Sequence, residues 1–202
     1  MISTSNISVQ FGKRVLFDQV NTAFKKGNCY GIIGANGSGK STFLKILSGK
    51  LNPNSGNVII EPNKRLSVLE QNQNEFDEYE TLKTTIMGNK LLYQIKKEMD
   101  DLYSKSDFND DDGVKVGELQ NKYEEMDGWN AESDAASLLS QLGVNEELHY
   151  TKMSDLEPKI KVRVLLAQAL FGNPDILIMD EPTNNLDFET ITWLQNFLIN
   201  YE

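Results

Sequence analysis

The stretch Gly34-Ala35-Asn36-Gly37-Ser38-Gly39-Lys40-Ser41 satisfies the spacing G-x-x-x-x-G-K-[ST], and its residue types suit one task, the holding of a phosphate chain. The β and γ phosphates of a nucleotide carry several negative charges. Backbone N–H groups must therefore approach them from several sides, which the missing side chains of Gly34, Gly37 and Gly39 permit. Lys40 supplies a mobile positive charge for the β/γ oxygens, and the Ser41 hydroxyl is placed to ligate Mg²⁺. Ala35, Asn36, Ser38 and Thr42 complete the expected lining. The apolar run Tyr30 to Ile33 leads in and the amphipathic stretch Lys40 to Ser48 leads out, so a strand, a tight loop and a helix with its positive end toward the anion are predicted.

A second stretch, Ile176-Leu177-Ile178-Met179-Asp180-Glu181, reads as a central parallel strand buried on both faces and ending in two carboxylates. At such a strand end Asp180 can hold Mg²⁺ through its water shell, and Glu181 can polarise the water that attacks the γ phosphate. In Leu69-Glu70-Gln71 an uncharged side chain at a strand end could reach the same Mg²⁺ or water. A surface Gln would look the same in a chain without the phosphate loop. Phe11, just before the turn Gly12-Lys13, could stack on an adenine base, and a core position suits it as well.

The elements that must position these groups follow from apolar spacing. Alternation from Ile7 to Phe11, a turn at Gly12-Lys13, and renewed alternation at Val20, Thr22 and Phe24 predict an antiparallel β start. Phe43, Leu44, Ile46 and Leu47 form the buried stripe of the helix after the loop, which Gly49 ends. Val58 to Ile60 and Leu66 to Leu69 are short strands. From Asp77 to about Asp155 helical spacing takes over, with Leu91, Ile95, Met99 and Leu102 on one face and Leu119, Tyr123 and Met126 on another. Between them the acidic turn Asp107 to Gly113 lacks the spacing of a calcium loop and reads as a solvated tip. A third helix centres on Ala135, Leu138, Leu139 and Leu142.

At 202 residues and 39% hydrophobic, the chain can bury a sizeable core. Its formal charge of −10 disfavours coating nucleic acid, although local contact with RNA stays open. No apolar run reaches the roughly eighteen residues of a membrane span, and the N-terminus lacks the basic-then-apolar pattern of a secretory signal. A soluble, cytoplasmic protein without membrane insertion is expected. The single Cys29 reads as a buried strand residue and has no internal disulfide partner, in keeping with a reducing compartment.

Pro182-Thr183-Asn184-Asn185-Leu186-Asp187, directly after Asp180-Glu181, together with the phosphate loop, Gln71 and Phe11, resembles the nucleotide-binding domain of ATP-binding cassette (ABC) proteins. More narrowly, nearly the whole chain is similar to the first cassette of the ABC-F group. Leu165 to Phe171 before Asn173-Pro174-Asp175, the Asn-Asn-Leu-Asp ending, and Glu124-Glu125-Met126-Asp127-Gly128-Trp129 carry that likeness. The resemblance implies an α/β P-loop NTPase fold with a mixed-sheet core, an antiparallel β sub-domain and a helical sub-domain carrying an arm-like insert. On this reading residues 1–76 and 156–202 form the ATP-binding core and 77–155 the helical part. The resemblance further implies ATP and Mg²⁺ as cofactors and hydrolysis to ADP and phosphate. A second cassette, in the same polypeptide, would face this one head to tail with Asp187 on the facing surface. The parent would act on the ribosome in translation. From Leu91 to Trp129 five lysines stand against eleven acidic residues, a balance of −6, so the arm would be repelled by RNA phosphates and suits a basic ribosomal protein better. The ATP-binding subunit of a membrane transporter is the alternative, less well matched by the long separation between Gln71 and the signature.

Two departures from the family pattern matter. Leu156-Glu157-Pro158-Lys159-Ile160 stands where the signature L-S-G-G-Q would be. The serine and both glycines are lost, and a carboxylate meets the helix N-terminus that would otherwise face the γ phosphate. The partner site completed by this signature is expected to turn over slowly or not at all. In the family, a further strand and a switch His follow the helix marked here by Ile191, Leu194 and Leu198, and the only histidine, His149, lies before the signature. The chain therefore reads as a fragment of a longer protein, poorly active in isolation.

Overall fold

Buried positions in β1 (Ile2–Phe11) run Ile2, Thr4, then Ile7, Val9. The change of parity falls at Asn6, whose backbone is left-handed with φ 51°, and one extra residue there returns the apolar side chains to the inner face. Asn21 secures the irregularity, accepting from the Asn6 N–H at 2.9 Å and donating to Asn6 Oδ1 at 3.0 Å. β1 is the middle of an antiparallel sheet between β2 (Arg14–Phe24) and β3 (Ser55–Ile60). The computed structural model describes residues 1–69, 72, 74–184, 186–199 and 201.

Helix α1 (Lys40–Leu47) buries two faces. Ile46 joins Ile7 and Val9, flanked by Leu16, Phe17 and Val20 of β2. Leu47, Phe43 and Leu44 join Ile178, Ile176, Leu66 and Val68, which belong to the parallel pair β4 (Leu66–Val68) and β5 (Ile176–Ile178). α1 thereby ties the antiparallel sheet to the strand that leads to Asp180. The entry to β5 is pinned by Asp175, which accepts from Lys64 Nζ at 2.8 Å and from the Arg65 N–H at 2.9 Å. The Lys64 bond holds the Asp175 carboxyl below the usual carboxylate range. After β5, α7 (Phe188–Ile199) buries Thr190 and Leu194. Beyond it the Tyr201 hydroxyl donates to the Pro174 carbonyl, and burial pushes its pKa up to about 12.

Three local expectations are corrected here. Tyr30 to Ile33 joins no ladder: Ile33 is 96% exposed and Cys29 is exposed. Tyr30 instead turns its ring edge-on to Phe24 at 5.1 Å, and its hydroxyl accepts the Lys25 N–H at 3.0 Å. β5 ends at Ile178, with the Leu69 N–H adding one bond to the Ile178 carbonyl. Among the described residues it pairs only with β4, so Ile176 and Leu177 are half-buried rather than enclosed on both faces.

A second unit contains α2 (Thr81–Ile86), α3 (Lys90–Tyr103), α4 (Asp110–Glu125), α5 (Ala131–Gln141) and α6 (Pro158–Leu170). α3 and α4 pair as a hairpin burying Leu92, Ile95, Met99 and Leu102 with Val116, Leu119 and Tyr123. The stripe begins at Leu92, and Leu91 is 57% exposed. The acidic turn has a local purpose. Asn109 and Asp112 form a capping box, and Asp110, Asp111 and Asp112 occupy the first turn, where the helix dipole favours carboxylates. A 2.5 Å hydrogen bond from Lys105 Nζ keeps the Asp112 carboxyl below its ordinary range.

The two units comprise residues 1–71 with 174–202, and residues 72–173. Within the second unit α6 packs on α2 and α5. At the α2 end, Gly88 lies so close to the Gln168 carbonyl of α6 that a Cβ would overlap it. Lys161 of α6 donates to Asp77 Oδ1 at 2.6 Å, anchoring the segment that follows Gln71. Among the described residues, no helix is long and apolar enough to cross a membrane.

Candidate nucleotide-binding site

The phosphate loop is built on the N-terminus of α1. Its N-cap, Gly39, has φ 101° and offers no side-chain cap, and the first intrahelical bond runs from the Phe43 N–H to the Gly39 carbonyl at 2.8 Å. The N–H groups of Lys40, Ser41 and Thr42 consequently lack intrahelical acceptors, and the positive end of the helix dipole adds to them. This is the donor set an anion requires. Lys40 Nζ arches back to the Gly34 and Ala35 carbonyls at 2.9 and 3.2 Å. Ser38 closes a turn on the Ala35 carbonyl at 3.1 Å. Asn36 and Ser41 are exposed.

Phe11 ends β1 with 55% of its surface exposed, so the open choice between stacking and core favours an accessible ring. Opposite it in register, Arg14 opens β2 and its Nη2 donates to the Gly37 carbonyl at 2.8 Å. Sequence reasoning missed Arg14. Its signal is a cation three residues after an aromatic, and it becomes visible only once the two-residue turn sets the register.

Asp180 follows β5 and is half-buried. Glu181 is exposed and takes a left-handed backbone, φ 50°, a strained state for a residue with a long side chain. Asn184 steadies it, Nδ2 donating to Glu181 Oε2 at 2.6 Å and its N–H to the Glu181 carbonyl at 3.0 Å. Asp187 Oδ1 accepts from the Thr190 N–H at 2.8 Å and the Thr190 hydroxyl at 2.6 Å, capping α7. Gln71 lies outside the described residues. The phosphate loop, Phe11, Asp180, Glu181 and Asp187 all belong to the first unit. In the second unit Pro158 opens α6, where its fixed φ and missing N–H suit the first turn, and Glu157 occupies its N-cap.

The fold is that of an ABC ATPase cassette. A dimeric bacterial ABC transporter cassette matches with a TM-score of 0.67 at 20% identity, covering 98% of this chain and 83% of that one. The sequence matches the family described as "ABC transporter" over residues 17–184, and the chain belongs to that family of ATP-binding cassettes. Among its relatives, "Uncharacterized ABC transporter ATP-binding protein YkpA" of Bacillus subtilis (strain 168) is 55% identical over 202 residues. "Probable ATP-binding protein YbiT" of Escherichia coli O157:H7 is 52% identical over 198 residues. These relatives are of the ABC-F type that the sequence resembles. They match over 100% and 98% of this chain, which spans 37% of the length of each.

Proposed function

We propose that this chain is one ATP-hydrolysing cassette of a two-cassette ABC-F ATPase acting on the ribosome. The observation that carries the hydrolytic reading is that one unit joins an uncapped α1 N-terminus, with Lys40 and Ser41, to the strand leading to Asp180 and Glu181. Gly34 to Thr42 hold the phosphates and Phe11 stacks on the base. Ser41, Gln71 and Asp180 would hold Mg²⁺, which would supply charge neutralisation to the phosphates. Glu181 takes a proton from the attacking water, and Asn184 orients its carboxylate. Lys40 exchanges its carbonyl partners for phosphate oxygens, a stronger, charge-assisted pairing.

A second cassette supplies its signature over this phosphate loop and receives Leu156 to Ile160 in return, with Asp187 at the facing surface. The translation role, with a cytoplasmic location, is supported by the ABC-F-type relatives and by the acidic α3–α4 hairpin, which suits a basic ribosomal protein. The transporter alternative is favoured by the family description and by the printed description of YkpA. One experiment separates the two. Glu181→Gln in the two-cassette protein should cosediment with ribosomes in ATP, whereas Lys40→Ala should not. Recovery of Glu181→Gln with membranes and never with ribosomes would sink the translation reading.

A further inference from the structure

We propose that Arg14 is a positioning residue that fixes the phosphate loop from the β1–β2 turn. The proposal rests on the nucleotide-site reading above. Arg14 Nη2 donates to the Gly37 carbonyl at 2.8 Å, while the N–H of the same peptide unit, on Ser38, donates to the Ala35 carbonyl at 3.1 Å. The Gly37–Ser38 peptide is therefore held at both ends. It needs holding, because Gly37 and Gly39 sit at φ 76° and 101° and glycine backbone has many other conformations open to it. Rotation of that peptide would break both bonds at once and release the loop from this conformation.

The base from which Arg14 reaches is firm. Its neighbours Leu16 and Phe17 lie against Gly39, where an added Cβ would stand 3.5 Å from Leu16 and 3.2 Å from Phe17. Phe17 also meets Phe43 of α1 edge-on at 5.7 Å. The two cations at the loop thus have separate tasks. Lys40 must leave the Gly34 and Ala35 carbonyls to meet a phosphate, and Arg14 can keep Gly37 while it does so. A guanidinium suits this, since its planar fork stays charged and gives directed hydrogen bonds.

The test is equilibrium binding of the 202-residue chain to a fluorescent ATP analogue with Mg²⁺, with unlabelled tripolyphosphate as competitor. Arg14→Ala is expected to weaken both ligands by about tenfold, the scale of one charge-assisted hydrogen bond. Arg14→Lys should recover part of the loss. Phe11→Ala should weaken the ATP analogue and leave tripolyphosphate within about twofold, since no base is present to stack. Binding by Arg14→Ala within twofold of wild type overturns the proposal. So does a loss that vanishes between about 0.05 and 0.5 M salt, which would mark a diffuse charge effect instead of a directed bond. If Arg14→Ala fails to fold, Arg14→Lys and Arg14→Gln decide: both binding both ligands as wild type does, at low and high salt, also overturns it. Failure of wild type to bind, or unchanged binding by Lys40→Ala, overturns the nucleotide-site reading itself.

Discussion

Glu157 occupies the N-cap of α6 with extended backbone and makes no side-chain hydrogen bond to the first turn. Its carboxylate is exposed beside the positive end of a 13-residue helix. In a composite site it would stand near a γ phosphate, and like charges there oppose binding. A helix-end charge contributes about 0.3–2 kcal/mol, so restoring Leu-Ser-Gly-Gly-Gln at 156–160 in the two-cassette protein should raise ATP turnover several-fold, to at most about thirtyfold. Unchanged steady-state hydrolysis would sink that expectation. At this scale the phosphate loop was legible because its chemistry lies in eight consecutive residues whose spacing is itself the geometry. Arg14 was not, because its relation to Gly37 depends on a cross-strand register that no local pattern records.

Helix α2 has six residues and is held by its neighbours more than by its own length. Thr81, Thr84 and Thr85 are fully buried, and Gly88 just beyond it touches the Gln168 carbonyl of α6. Backbone cannot retreat as a flexible side chain can. Gly88→Ala should therefore cost about 1–3 kcal/mol or more, read as a lowered melting temperature, and a melting temperature equal to wild type would show that α2 and α6 can separate freely. The α3–α4 hairpin was readable because a buried face repeats at 3.6 residues. The period fixes a stripe only to within a neighbouring position, hence Leu92 inside and Leu91 outside. Tyr30 to Ile33 misled for another reason. An apolar run predicts burial only when a partner strand is present, and Tyr30 pairs with Phe24 instead.

For the whole molecule, the chain belongs to a family of ATPases yet spans 37% of its relatives' length, and the site proposed here needs a facing cassette. The isolated chain should bind Mg-ATP and hydrolyse it slowly, and its specific activity should rise with protein concentration only if copies pair. Rapid, concentration-independent turnover would contradict the composite site. The left-handed backbone of Glu181 carries one more consequence. That conformation costs a side-chain-bearing residue about 1–2 kcal/mol, and glycine escapes it. Random substitution at this codon would thus reward heat tolerance with Gly or Asn while deleting the base proposed to activate water. If glutamate at 181 is that base, replacing it with glycine should raise the melting temperature and abolish turnover together.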